Sequence, residues 1–132
     1  MKAKIIIPVL FLLSSQAVSA NAVDNMFSEY KQSGVTNISE IKGKELWEKK
    51  FKNTKTGKLR SCTTCHADSL RKTGKHIKTG KLIEPMALSI NKKRYTKVKK
   101  IKKWFKRNCK WTIGRECSAQ EQADILAYLI KQ

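Results

Sequence analysis

From Lys52 to Glu84 the chain runs for more than thirty residues with no sustained helical or strand periodicity. This stretch is rich in Gly, Lys and Thr, with Gly57, Gly74 and Gly80 as backbone punctuation. A loop of that length within a small compact domain is uncommon unless something besides a peptide core organises it. At its centre stands Cys62-Thr63-Thr64-Cys65-His66.

One helical turn brings residues three apart to the same side. Cys62 and Cys65 can then both form thioethers with the two vinyl groups of one haem, while His66 offers its imidazole to the iron as proximal ligand. A covalently held macrocycle is a large apolar body, and residues 52 to 95 can order around it as part of the core. A zinc site is the chemical alternative, with Cys62, Cys65, Cys109 and Cys117 as thiolates. The second pair is separated by seven residues, against roughly two to four in zinc ribbons. A disulfide within the first pair is the other alternative.

Around this centre the pattern is helical. Asp24 to Gln32 reads as a short first helix. Ser39 caps a second, whose apolar stripe is Ile41, Leu46, Trp47 and Phe51. Thr96 caps a third reaching about Asn108, with Val98, Ile101, Trp104 and Phe105 inward. Ser118-Ala119-Gln120-Glu121 is a capping box that opens a terminal helix, with Ile125, Leu126, Tyr128 and Leu129 inward. Strand patterning is almost absent, so the expected fold is all-α. Length agrees with one domain: 132 residues leave no room for a multidomain enzyme.

Residues 1 to 20 differ from the rest. Lys2 and Lys4 precede an apolar run from Ile5 to Leu13, followed by small residues ending Val18-Ser19-Ala20. That order is a secretory signal peptide cut after Ala20 or Ala22, leaving residues 21 to 132 as the exported domain, in a periplasm-like oxidising compartment. There Cys109 and Cys117 are expected to close a disulfide staple worth about 2–3 kcal/mol in the chain-entropy model. The formal net charge is +19, and Lys92 to Lys110 holds eleven Lys or Arg and no acid. This is either a solvated helix face or a docking surface for an anionic partner; export argues against nucleic acid.

With these residues in place the chain resembles class I cytochromes c. The helix containing Gly43 and Trp47, the attachment motif, and the terminal Leu126-Ala127-Tyr128-Leu129 follow the order of that fold. More specifically, it is similar to the sphaeroides haem protein family of monohaem cytochromes c. The likeness rests on Arg60-Ser61-Cys62-Thr63-Thr64-Cys65-His66, Gly74-Lys75-His76-Ile77-Lys78-Thr79-Gly80-Lys81, Glu84-Pro85-Met86-Ala87, Ser89-Ile90-Asn91, Lys103-Trp104-Phe105-Lys106-Arg107-Asn108-Cys109 and Gly114-Arg115-Glu116-Cys117. It implies a small fold wrapped around one haem c and a cystine bridge near it.

Three residues compete for the sixth position of the iron. Met86 would be a soft, permanent thioether ligand, making an ordinary electron carrier. Asn91 offers a weak amide that can depart on reduction and admit oxygen or nitric oxide. His76 would give a bis-histidine haem. Chain chemistry favours Met86; the resemblance implies a distal asparagine and favours Asn91. Trp104 is expected against the ring edge. The resulting expectation is an exported redox protein that binds a diatomic gas on reduction, with oxidase- or dioxygenase-like turnover left open. The resemblance implies a dihaem cytochrome c as electron donor, and a membrane cytochrome is the other candidate.

Overall fold

The computed structural model describes residues 21–132, so the expected leader lies outside the described residues. Helix α1 (Ala22–Gln32) begins earlier than the apolar pattern suggests, because Asn21 Oδ1 accepts from the backbone N–H groups of Val23 and Asp24 at 2.9 and 3.0 Å. Helix α2 (Glu40–Glu48) starts where Ser39 caps the Lys42 N–H, as the sequence indicates. It stops before Phe51, however, and Ile41 is 69% exposed, so the expected stripe reduces to Leu46 and Trp47.

Phe51 instead opens strand β1 (Phe51–Lys52), which pairs antiparallel with β2 (Leu59–Arg60). The motif forms one turn, α3 (Thr63–His66). A second antiparallel ladder joins β3 (Gly74–Lys75) to β4 (Leu82–Ile83). These two-residue pairings pin the irregular middle at two points. Helix α4 (Val98–Thr112) and helix α5 (Ala119–Ile130) complete the chain. Thr96 does not cap α4, since its hydroxyl donates to the Lys93 carbonyl, and the helix continues past Asn108 to Thr112. The capping box at α5 forms as expected, with Ser118 and Glu121 satisfying each other's backbone N–H.

Helix α5 divides the core. One side carries Leu126 and Ala123 against Met26 and Tyr30 of α1, Val35 and Ile101. The other carries Ile125 and Leu129 against Trp47, Leu70 and Ala87. Tyr95 and Phe105 touch both groups. Each fully buried side chain of this size contributes about 1.5–3 kcal/mol.

The α2–α5 crossing is the tightest point. A Cβ on Gly43 would lie 1.9 Å from the Asp124 carbonyl oxygen and 3.0 Å from the Ile125 nitrogen. Asp124 is itself buried, and its Oδ1 accepts from the Ser39 N–H at 2.7 Å and from Gln120 Nε2 at 2.9 Å. One carboxylate thus fixes the start of α2 to the middle of α5.

Candidate haem site

The attachment turn is built locally. Ser61, buried, accepts or donates at 2.6 Å with Thr63 Oγ1, and its N–H donates to Thr64 Oγ1 at 2.9 Å. The N–H groups of Cys65 and His66 donate to the Cys62 carbonyl, so the two sulfurs and the imidazole leave one turn together. The Cys62 N–H donates to the Trp47 carbonyl, tying the turn to the end of α2. Gly74 backs directly onto it: a Cβ there would lie 2.1 Å from the Cys65 carbonyl oxygen and 2.9 Å from His66 Cα. Ala67, the next residue after His66, adopts φ 61° and ψ 174°, a region nearly restricted to glycine, which costs about 1–3 kcal/mol.

Burial pushes the Cys62 thiol up to about 12, with a smaller push from Cys65, and neither Cys62 nor Cys65 is in a disulfide. His66 is lowered to about 4, mainly by burial and secondly by the positive charge of Arg94, so its ring is neutral near pH 7. It packs 5.2 Å from the Trp47 ring centroid, and its buried Nδ1 has no partner. A buried polar atom without a partner costs about 1–3 kcal/mol. A buried Cys62 thiol, Cys65 beside it and a neutral, under-satisfied imidazole on one turn fit a haem held by two thioethers and by His66.

The residues expected on the other side of the iron are not gathered together. Met86 is half-buried in the cluster that contains Cys62, Trp47 and Leu70. Its segment is strapped down: the Leu70 carbonyl accepts from the N–H groups of Met86 and Ala87, Tyr95 OH donates to the Met86 carbonyl at 2.8 Å, and Arg94 donates to the carbonyls of Glu84 and Pro85.

Asn91 lies in the following turn. Its Nδ2 donates to Glu84 Oε2 at 3.0 Å, its Oδ1 accepts from the Lys93 N–H at 3.2 Å, and it lines a shallow depression of about 430 Å³ with Glu84, Pro85 and Ile90. Both ends of its amide are engaged locally. His76 Nδ1 accepts from the N–H groups of Lys78 and Thr79 in the β3–β4 turn.

Trp104 is not in the core. It is 47% exposed, with Arg107 Cζ 5.1 Å and Lys103 Nζ 5.9 Å from its ring centroid. Ile101, Phe105, Cys109 and Thr112 form the inward arc of α4, and Trp104, about 100° from Phe105 around the axis, falls on the flank. Asn108, which the motif reading passes over, is exposed one turn further along that flank. Asn91 and Asn108 are the two asparagines that follow His66 in the sequence. Further along, Trp111 lies under the Arg60 guanidinium at 3.9 Å and 6.0 Å from the His76 ring, so this flank ends against the segment that enters the attachment turn.

Cys109 and Cys117 are bonded at 2.05 Å and bridge α4 to the start of α5. Eight positions separate them and Ser118 follows Cys117, so this pair lacks the attachment spacing and its histidine.

Residues 33–129 match a family described as a domain of unknown function, DUF1924. Over 140 aligned residues, covering all of this chain and 96% of the relative, it is 33% identical to cytochrome c'' of Methylophilus methylotrophus. It is 42% identical over 85 residues to the cytochrome c-type protein SHP of Cereibacter sphaeroides, covering 62% of this chain and 65% of that one. The chain belongs to this family of class I-like monohaem cytochromes c. The fold agrees: the oxidised structure of SHP, described as an oxygen-binding cytochrome c, superposes with a TM-score of 0.75 at 31% identity over 86% of this chain and all of that one. A solution structure of cytochrome c'', concerned with haem-ligand detachment, superposes at 0.73 and 31% identity over 83% of this chain and 93% of that one. The cytochrome therefore carries one covalent haem c and exchanges electrons with a redox partner. Among the described residues no helix is long and apolar enough to cross a membrane.

Proposed function

We propose that this cytochrome is an exported, periplasmic electron-transfer protein whose distal haem ligand is weak enough to yield to oxygen or nitric oxide when the iron is reduced. When bound, the haem would supply a one-electron iron couple and a place for a second iron ligand. Cys62 and Cys65 would tether it, and His66 would enter as a neutral base. The observation that carries the reading is the single turn holding two cysteines outside any disulfide beside a buried imidazole whose Nδ1 lacks a partner.

For the distal side the family likeness supplies an asparagine, and two are available. Asn91 would have to give up Glu84 and the Lys93 N–H, whereas Asn108 stands exposed on a rigid helix beside Trp104 and one residue before the bridged Cys109. We assign the weak ligand to Asn108, with Asn91 as the alternative and Trp104 bordering the ring. An oxygen-binding relative and one known for ligand detachment support a labile distal side. The electron donor is taken to be a dihaem or membrane cytochrome. Cleavage after Ala20 would leave Asn21 as the cap of α1.

The second reading is a simple carrier with permanent His66/Met86 ligation, favoured by the strapped Met86 packing near Cys62. Absorption spectroscopy with carbon monoxide separates them. The labile reading expects carbon monoxide to shift the ferrous wild-type spectrum, and Asn108→Ala to alter the ferric spectrum while Asn91→Ala and Met86→Ala leave it unchanged. An inert ferrous wild type whose ferric spectrum changes in Met86→Ala establishes the carrier instead.

A further inference from the structure

Helix α4 ends in a clamp. The Trp111 carbonyl, in its last turn, accepts from Arg60 Nη1 at 2.9 Å and from Asn53 Nδ2 at 3.0 Å. Asn53 is buried, and its Oδ1 accepts from the N–H groups of Lys55 and Thr56, so its own turn fixes the amide. The Arg60 guanidinium also lies 3.9 Å from the Trp111 ring centroid, with the His76 ring 6.0 Å from the same indole. Just past the helix, Gly114 at φ 93° comes so close to Thr54 that a Cβ would sit 2.9 Å from its Oγ1. The β1–β2 segment thus grips the end of α4 by its backbone, by an aromatic ring and by the turn that follows.

Arg60 is the charged member of this clamp. It is 7% exposed, no acid among the described residues pairs with it, and its buried Nε has no partner. A buried guanidinium without a carboxylate is unfavourable on its own. What offsets it here is the end of a fifteen-residue helix, whose last carbonyls lack intrahelical donors and carry the negative end of the dipole. A bond from a charged donor is roughly twice as strong as a neutral one, so Arg60 outweighs Asn53 in holding the same oxygen.

The two ends of this grip matter for the haem site. Arg60 stands two residues before Cys62, and Asn108 stands three residues before Trp111, on the same face of α4. One side chain therefore joins the segment that carries the haem tether to the helical turn that carries the assigned distal ligand.

We propose that Arg60 is the positioning residue for that ligand: by gripping Trp111 it keeps the last turns of α4 in register with the attachment turn, so that Asn108 returns to one place after each departure. This rests on the Asn108 assignment and adds what keeps the ligand within range. A gas then competes with an amide held nearby, and its apparent affinity is reduced by the fraction of molecules in which Asn108 is in place.

The test uses the haem-loaded ferrous protein, with carbon monoxide as probe, and amide hydrogen exchange of residues 109–114 as a readout independent of gas binding. Arg60→Gln is expected to raise carbon monoxide affinity about tenfold and to speed exchange of the Ile113 amide, which donates to the Cys109 carbonyl. Arg60→Lys keeps the charge and loses the planar fork, so it should fall between the two. In an Asn108→Ala background, which has no amide left to position, Arg60→Gln should change the affinity by less than about twofold. Should Arg60→Gln fail to fold, Asn53→Ala removes the neutral donor to the same carbonyl and is expected to raise the affinity about threefold. Tyr30→Phe, which removes a bond to Gln122 at the α1–α5 contact, is the control and should match wild type.

An Arg60→Gln affinity within about twofold of wild type overturns the proposal, as does the same rise with and without Asn108. A comparable rise in Tyr30→Phe also overturns it, since the affinity would then follow general stability. If Asn108→Ala leaves the ferric spectrum unchanged, the ligand assignment fails and the positioning role with it. An altered Asn108→Ala spectrum beside an unaltered Arg60→Gln affinity refutes the positioning role alone.

Discussion

Substituting Gly43 by alanine tests the packing that holds the haem-bearing half of the molecule to its terminal helix. The added Cβ would sit 1.9 Å from the Asp124 carbonyl oxygen and 2.5 Å from its carbon, both backbone atoms that no rotamer change can move. Restoring ordinary contact requires the two helices to separate by more than 1 Å at the point of closest approach. Overpacking of this kind costs about 1–3 kcal/mol. Separation also pulls the Ser39 N–H from Asp124 Oδ1, a 2.7 Å bond to a buried carboxylate, adding about 1–3 kcal/mol. Alanine returns about 1 kcal/mol through helix propensity. The net expectation is a loss of about 1–5 kcal/mol, read from urea unfolding of the haem-loaded protein by far-ultraviolet circular dichroism and the Soret band together. A Gly43→Ala protein within about 0.5 kcal/mol of wild type would show that the crossing is not closed by backbone contact.

Two further expectations follow from other parts of the structure. Replacing both Cys109 and Cys117 by serine should lower stability by about 2–3 kcal/mol, the chain-entropy value for this loop, and reductant should lower the wild type by a similar amount in the same urea titration. Hydrogen bonding from Arg115 holds the Glu121 carboxyl below the ordinary carboxylate range, with the Ser118 N–H helping. Its stabilising contribution is therefore complete at neutral pH and fades as the pH falls below about 4.3, the unperturbed value. Glu121→Gln should cost about 1 kcal/mol at pH 7 through the weakened cap and pair, and its stability curve should converge on wild type in acid.

The parts legible in the sequence are those fixed by local chemistry. Ser39 and Ser118 announce their helices because a hydroxyl next to an apolar-periodic run has an N–H to satisfy, and both do so. The Cys62–His66 spacing is a statement about a single turn, and α3 is that turn. What failed depended on three-dimensional neighbours. Trp104 and Phe105 lie about 100° apart around α4, and which of them packs inward depends on the neighbouring elements: Phe105 touches both core groups and Trp104 falls on the flank. Thr96 has a competing acceptor in the Lys93 carbonyl, which no periodicity reveals. The ladders of the central segment are two residues long, below the length at which alternation can be recognised. The engagement of the Asn91 amide with Glu84 is a tertiary fact of the same kind, which the sequence does not display.

Intact-mass spectrometry of the protein made in a host with working cytochrome c maturation bears most directly on the central claim. One haem is expected to be added covalently to a single chain, retained under denaturing conditions and lost when Cys62 and Cys65 are both replaced by alanine. A bare polypeptide, with the Cys62 and Cys65 thiols free or bridged to each other, would contradict it.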